Sequence, residues 1–493
     1  MRLDDLLEKK EAIQIQLLRQ LVLAGGQMAT GKLREQSSVS KSAFEQYIQG
    51  LEQEARAHPE CFTLKNDGVT IVLQFAANYN LEMLLTRWVS QGIYFQLMDF
   101  VLHHPDYTTV QLINELGISE STLFRKIREL NKRLQEFHIQ FKNGSIQGEE
   151  LQIRYVYYQL YSQLASYQQP TFLTKQPEYT RLIHGLERHL DVIFSISSLE
   201  KITVFWAITQ KRWLNRKPQF ERLKQQMQPF LQDQLYQSID EFMTLYLSRT
   251  AIENNRFEGM MFYIFLISFE VFDEESFYQF DLMRSKKLPT AVLDTYVRET
   301  ILLHYRPRRL SIELEKKVGY QLAHINNELY FFIGKLELYD RRQVISQQRR
   351  LLGRTLSQLL TQLLALVFAQ LDQTYQPDNT LHDALVVSYA SILTMIDFSV
   401  TEPISIALDF TDLPPYRFPF YQLIQLELRP LIGVVISDYQ KGEGYDLVVS
   451  TKPTRQTCSM KPETVWYVLS EFDSLYDIQT IKQTIEEIRH HKN

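Results

Sequence analysis

The sequence predicts a multidomain, mainly α-helical chain that closes in a small α/β segment. Three observations carry this. Apolar residues at helical spacing fill most of the length. Two of the predicted helices are followed by Lys-Asn-Gly or Lys-Asn-Asp-Gly turns between alternating residues. Only after about residue 398 do strand-length, β-branched runs alternate with helices. A length of 493 residues suggests three or more domains. An apolar share of 45% with 12% aromatics suffices for several cores and excludes wholesale disorder. A net charge of −5 excludes a chain-wide coat for nucleic acid, so any such binding must come from a local patch.

The stretch 92–150 holds that patch. It reads as helices over 94–104 and 108–116, then Gly117-Ile118-Ser119 and a third helix to about Phe137. Ser119 is placed to cap the third helix. Leu123, Ile127, Leu130, Leu134 and Phe137 form one buried stripe. At 3.6 residues per turn, Arg125, Arg128 and Lys132 fall on the opposite face, with Lys126 and Arg133 beside them. Ser121 and Thr122 share the first turn. Phe141-Lys142-Asn143-Gly144-Ser145-Ile146 follows, and Asn-Gly is a strong hairpin signal that would make Lys142 part of a wing. A tight turn followed by a helix with an outward basic face is how a helix-turn-helix enters a major groove. The plainer reading of a basic stripe is a solvated helix face, and the turn and wing together weigh against it.

The chain opens with a weaker copy of the same unit. Helices are expected over 12–23, ended by Gly25-Gly26, over 30–36, and after Ser40, the last carrying Phe44, Ile48, Leu51 and Ala55 inward. A hairpin follows over 62–73. Lys41 and Gln49 face outward on this third helix, but so do Glu45 and Glu52, and acids near phosphates oppose binding. This copy is expected to be either the lesser DNA reader or a packing partner.

Residues 151–167 read as a connecting helix. Two blocks of about 110 residues each then show only helical patterns, divided near 287 and broken at Tyr375-Gln376-Pro377-Asp378. Long helices are expected over 199–213, 220–246 and 257–272. Neither block holds a phosphate loop, a paired-carboxylate site or a nucleophile motif. In the last segment, strands are expected over 403–410, 431–437 and 446–450, and helices over 416–428 and 480–490, as a small parallel sheet with helices on its faces. The domain cuts are therefore 1–80, 81–168, 169–286, 287–397 and 398–493. Cys61 and Cys458 match no metal-ligand spacing and suit a reducing cytosol. The acidic N-terminus lacks a secretory pattern, and the apolar runs 260–269 and 363–369 are too short to span a bilayer. A soluble cytoplasmic protein without cofactor, metal or enzymatic activity is expected.

The chain resembles the Mga/AtxA class of virulence and global transcriptional regulators of Gram-positive bacteria. The carrying residues are the 92–150 unit, the segment from Phe141 to Tyr155, and Ile202-Thr203-Val204-Phe205-Trp206-Ala207-Ile208-Thr209-Gln210. The resemblance implies two N-terminal winged helix-turn-helix domains, two phosphotransferase-system regulation domains (PRDs), and a C-terminal domain resembling the B component of an enzyme II. It also implies double-stranded DNA as partner, activation of transcription, self-association, and phosphorylation of regulation-domain histidines by the phosphocarrier of the sugar transport system. His189 and His304 are the best local matches and His324 a third candidate, with His184 and His382 also in the bundles. A histidine on a helix is more often a hydrogen-bonded structural residue than a phosphoacceptor, and that plainer reading stands beside each.

In the enzyme II B components a cysteine directly follows the first strand. Here Asp409-Phe410-Thr411-Asp412-Leu413-Pro414-Pro415 stands there instead, with acids that would repel a phosphoryl dianion and prolines lacking N–H groups. Association of subunits rather than phosphate transfer is the expected role, the cluster Tyr416, Phe418, Phe420, Tyr421 and Leu423 being either core or a dimer contact. Two alternatives stand beside the regulator: an RNA-binding antiterminator, which would open with a β-rich module, and a phosphocarrier.

Overall fold

The computed structural model describes residues 1–165, 177–213, 218–248, 256–306, 309–339, 341–374, 376, 379–400, 403–410, 417–428, 431, 433–452, 464–471 and 474–492. The chain divides into two units, one of Met1–Arg306 with Ser311–Ser391, the other running from Ile392 onward with a short piece before Ser311.

The first unit opens with a 3-10 turn at Leu3–Leu6, then α1 (Lys9–Leu23), β1 (Gln27–Ala29), α2 (Thr30–Ser37), α3 (Lys41–Ala57), β2 (Phe62–Asn66) and β3 (Thr70–Phe75). Ser40 caps α3 as expected, and Phe44, Ile48, Leu51 and Ala55 are its buried residues. The hairpin β2–β3 forms, and β1 joins it as an unexpected third strand in the order β1-β3-β2. Three residues of Gln-Met-Ala carry too little alternation to be read as a strand; pairing of Met28 with Ile71 makes them one.

A second winged unit follows as α4 (Leu81–Gln91), α5 (Ile93–His103), α6 (Thr109–Leu116), α7 (Glu120–Leu134), β4 (Gln140–Lys142) and β5 (Ser145–Gln147). Next comes α8 (Glu150–Ala165), far more than a connector: Leu151, Ile153, Tyr155, Val156, Tyr157, Tyr158, Leu160, Tyr161 and Leu164 are all buried. Its tyrosines reach polar partners at their tips, Tyr157 donating to the carbonyl of Met98 (2.9 Å) and Tyr161 to Asp99 (2.5 Å).

The helical blocks comprise α9 (Pro177–Leu190), α10 (Ile196–Arg212), α11 (Glu221–Met227), α12 (Gln234–Ser248), α13 (Arg256–Ser268), α14 (Glu274–Met283), α15 (Pro289–His304), α16 (Ile312–Phe331), α17 (Arg341–Gln370) and α18 (Thr380–Val400). The single long helix expected over 220–246 is broken in two. Pro229 directs a 3-10 turn, and Asp233 accepts from the Tyr236 N–H (3.0 Å) to restart α12. α13 packs on both α12 and α16, so the expected cut near 287 falls inside one compact unit. α18 is long and apolar enough to cross a bilayer, contrary to the reading of the apolar runs. Within the first unit its side chains are engaged: Tyr389 donates to Asn326 (2.6 Å), and His382 lies beside Phe368.

The extended segment after α16 ties several elements together. Gln152 of α8 exchanges two hydrogen bonds with Ile333, donating to its carbonyl (2.6 Å) and accepting from its N–H (3.1 Å). Tyr155 donates to the Gly334 carbonyl (3.0 Å), and Gln159 accepts from the Leu336 N–H (2.5 Å). The Lys335 N–H reaches Glu136 beyond α7 and Thr380 at the start of α18, while Leu3 and Glu337 pair with the chain across them. Gly334 has φ +72°, and a Cβ there would lie 2.9 Å from the Phe137 ring. Gly334→Ala is expected to lower stability by about 2 kcal/mol or more, combining left-handed strain with overpacking. An unchanged urea midpoint would show that the segment yields.

The second unit holds β6 (Ile404–Asp409), α19 (Arg417–Leu428), β7 (Val434–Asp438), β8 (Leu447–Ser450), β9 (Val465–Val468) and α20 (Leu475–Lys492). The sheet is parallel throughout, in the order β7-β6-β8-β9. β9 was not expected, its four residues Val-Trp-Tyr-Val giving no turn signal around them. Strand alternation sends Ile404, Ile406 and Leu408 to one face, where Ile424 and Leu428 of α19 meet Ile478, Ile481 and Ile485 of α20. Both described helices thus cover the same face rather than opposite ones. The motif residues Thr411 to Tyr416 and Cys458 lie outside the described residues, as does the Phe420 side chain.

Candidate nucleic-acid interface

Local chemistry builds the turn of the second winged unit. Thr108 and Gln111 form a reciprocal capping box at the start of α6 (2.8 and 3.2 Å). Gly117 ends that helix at φ +62°, a left-handed conformation that a side chain would strain. Ser119 then accepts from the Thr122 N–H (3.3 Å), and its hydroxyl also meets those of Ser121 and Thr122. α7 departs at once, burying Leu123, Leu130 and Leu134, with Phe137 buried in the 3-10 turn that follows.

The wing closes as its sequence required. Asn143 and Gly144 both have positive φ (52° and 77°), and Phe141 pairs with Ile146 across the two strands. Asn131, which periodicity did not single out, fastens the wing to α7. Its amide donates to the Phe141 carbonyl (2.9 Å) and accepts from the Phe141 N–H (2.6 Å). A polar residue at the edge of an apolar stripe was the available signal.

Arg125, Arg128 and Lys132 are exposed on the outer side of α7, with Ser119 and Ser121 at its start and Lys142 on the wing. Lys126 and Arg133 are not part of that row. The Arg133 guanidinium lies 4.2 Å from the Tyr94 ring centroid, and Lys126 pairs with Glu8 (2.6 Å) beside the same ring. Tyr94 in turn donates to Glu129. The sequence reading set these two cations beside the basic row, but the tertiary partner α5 turns them toward Tyr94 instead. In the first unit Lys41 and Gln49 are exposed on α3, next to the exposed Glu45.

Residues 77–161, from just before α4 to most of α8, match the family model of the Mga helix-turn-helix domain. This match over one domain supports membership of the Mga/AtxA-like regulator family for the chain. No curated protein matches it. A helix-turn-helix domain of this kind suggests a DNA-binding transcriptional regulator. The matched domain is joined to the helical block by charge. Glu149, just beyond the wing, accepts from the N–H groups of Arg222 and Leu223 and so caps α11 (3.0 and 3.5 Å). Glu150 receives Arg212 through two bonds (3.0 and 2.8 Å) and Arg154 through one (3.0 Å). Arg154 also grips Glu258 of α13 with a bidentate pair (2.6 and 2.8 Å).

The histidine candidates separate by exposure. His189 is exposed on α9, its Nε2 2.9 Å from the Ser238 carbonyl. His304 is exposed at the end of α15, edge-on to Tyr305. His324 is 3% exposed, packed between Phe277 and Tyr320, with Nδ1 2.7 Å from the Tyr320 carbonyl. That packing closes its ring to a donor protein. Burial pushes the His324 pKa down to about 4. The folded state therefore disfavours the proton that the unfolded chain accepts near its usual 6.5, so stability is lost as pH falls from about 6.5 toward 4. Replacing His324 with Gln should flatten the dependence of the urea midpoint on pH across that window. Parallel curves for the two proteins would assign the slope to other groups.

Proposed function

We propose that the chain is a cytoplasmic global regulator that activates transcription by binding duplex DNA through α7, with α3 as the lesser contact. The observation that carries this is the exposed row Arg125, Arg128 and Lys132 on a Ser119-capped helix with a closed wing beside it. A basic groove-facing helix supplies both phosphate neutralisation and base contacts. The cuts at 80, 168, 286 and 397 then describe two winged units, two PRD-like bundles and an enzyme-II-B-like domain. The helical blocks receive phosphate on His189 or His304 from the phosphocarrier of the sugar transport system, and the negative charge shifts the DNA-binding equilibrium through the α8 connections. The chain acts as a homo-oligomer. Phe418 and Leu426, 73% and 66% exposed on α19, support a subunit contact in the C-terminal unit.

Titration of the protein with a duplex and with an RNA hairpin of the same sequence tests the first claim; preference for the hairpin would favour an antiterminator. Incubation with the general phosphotransferase proteins should place acid-labile phosphate on His189 or His304. Peptide mapping that finds none in α9–α18 would leave the bundles as structural or oligomerising elements.

A further inference from the structure

One residue of α7 does not fit either its core or its charge. Phe124, the fifth residue of the helix, is 53% exposed, although full burial of a phenyl side chain would stabilise the fold. Helical geometry sets it about 40° from Arg128 and about 60° from Ser121 around the axis, and about 20° from Asn131. Asn131 holds the wing, so Phe124 lies along the edge between the reading face and the wing, in the N-terminal half of the helix. In a helix-turn-helix that half carries the residues that meet base edges.

We propose that Phe124 is a specificity-determining residue that packs on the C5-methyl group of a thymine in the major groove. The proposal rests on α7 being the recognition helix. Base edges in that groove present hydrogen-bond donors and acceptors, which a phenyl ring cannot satisfy. The thymine methyl is the apolar exception. Arg125 and Arg128, on the same exposed side, suit guanine edges or phosphates. The ring therefore adds a discrimination that the cations do not: thymine over uracil or cytosine at one position of each half-site. The step is non-covalent, and its size is that of one methyl group transferred from water to an aromatic contact.

The test uses the full chain and sites selected from a random duplex library. Each thymine of a selected site is replaced in turn by deoxyuridine, which removes only the methyl. The parent protein should lose about three- to tenfold in affinity at one thymine per half-site. Phe124→Ala should bind the thymine and uracil forms of that site equally, near the parent's affinity for the uracil form, with an unchanged unfolding midpoint. Phe124→Leu should keep part of the preference. If the parent ignores every thymine replacement, or if Phe124→Ala keeps the parent's ratio, the ring does not read the methyl. Failure of the underlying reading looks different: a protein with alanine at Arg125, Arg128 and Lys132 would then still bind the selected sites.

Discussion

Alanine at Arg125, Arg128 and Lys132 together removes duplex binding while the unfolding midpoint stays where it is. The three side chains are exposed, and they lie across the helix from Leu123, Leu130 and Leu134, so deleting them leaves the packing of α7 intact. For every phosphate that is no longer neutralised, the slope of log affinity against log salt should fall by about one. The variant therefore differs most from the parent at low salt, where electrostatic attraction is least screened. Fluorescence anisotropy over a salt series reads both quantities. Equal affinity of parent and variant would mean that α7 is not the helix in the groove. Alanine at Lys126 and Arg133 is a contrasting control: these cations lie against Tyr94 and Glu8, so their removal should disturb packing more than the salt slope.

The second large effect concerns stability. Arg154 and Arg212 face Glu150 and Glu258 in a cluster of four charges, all 7% exposed or less. Removing one member leaves a buried carboxylate without its partner, at a cost of about 3–5 kcal/mol. Arg154→Met should therefore lower the urea midpoint severely, because it strips Glu258 of a bidentate pair and Glu150 of one bond. The double variant Arg154→Met with Glu258→Leu should regain much of that loss, since neither unpaired charge remains at that end. A double variant no better than the single one would mean that the cluster is not coupled as its geometry implies. Acid acts on the same site. Burial alone would raise the Glu150 carboxyl, but Arg212 and then Arg154 outweigh it and hold it below its usual value near 4.5. Its contribution is complete above that usual value and is lost as pH falls through the depressed one.

Buried polar groups also explain why α8 was legible only as a connector. Glu150, Arg154, Gln152 and Gln159 read as polar positions that break any buried stripe, yet all four are buried. Arg154 and Gln152 found partners far along the chain, at Glu258 and Ile333. A pattern of apolar residues cannot register burial that is satisfied by distant hydrogen bonds. The same reason separates the two groups of cations on α7. Exposure of Arg125, Arg128 and Lys132 follows from the helical period alone. The fate of Lys126 and Arg133 depended instead on Tyr94 of α5, which lies 32 residues before Lys126.

What the sequence determined by itself were the features set by neighbours within a few residues. Ser40 and Ser119 cap their helices because a hydroxyl reaches the N–H groups one turn on. Asn143-Gly144 turns the wing because both residues accept positive φ. Leu123, Leu130 and Leu134 face inward because their spacing matches the helix. Tertiary structure decided the rest. It added β1 and β9, too short to announce themselves, through pairing with β3 and β8. It broke 220–246 at Pro229 and set α19 and α20 on one face of the sheet. It withdrew His324 from solvent, although His189 and His304 carry the same side chain on equally helical segments and stay exposed. Short-range hydrogen bonding and periodicity are written in adjacent residues; burial is a property of whatever packs on top.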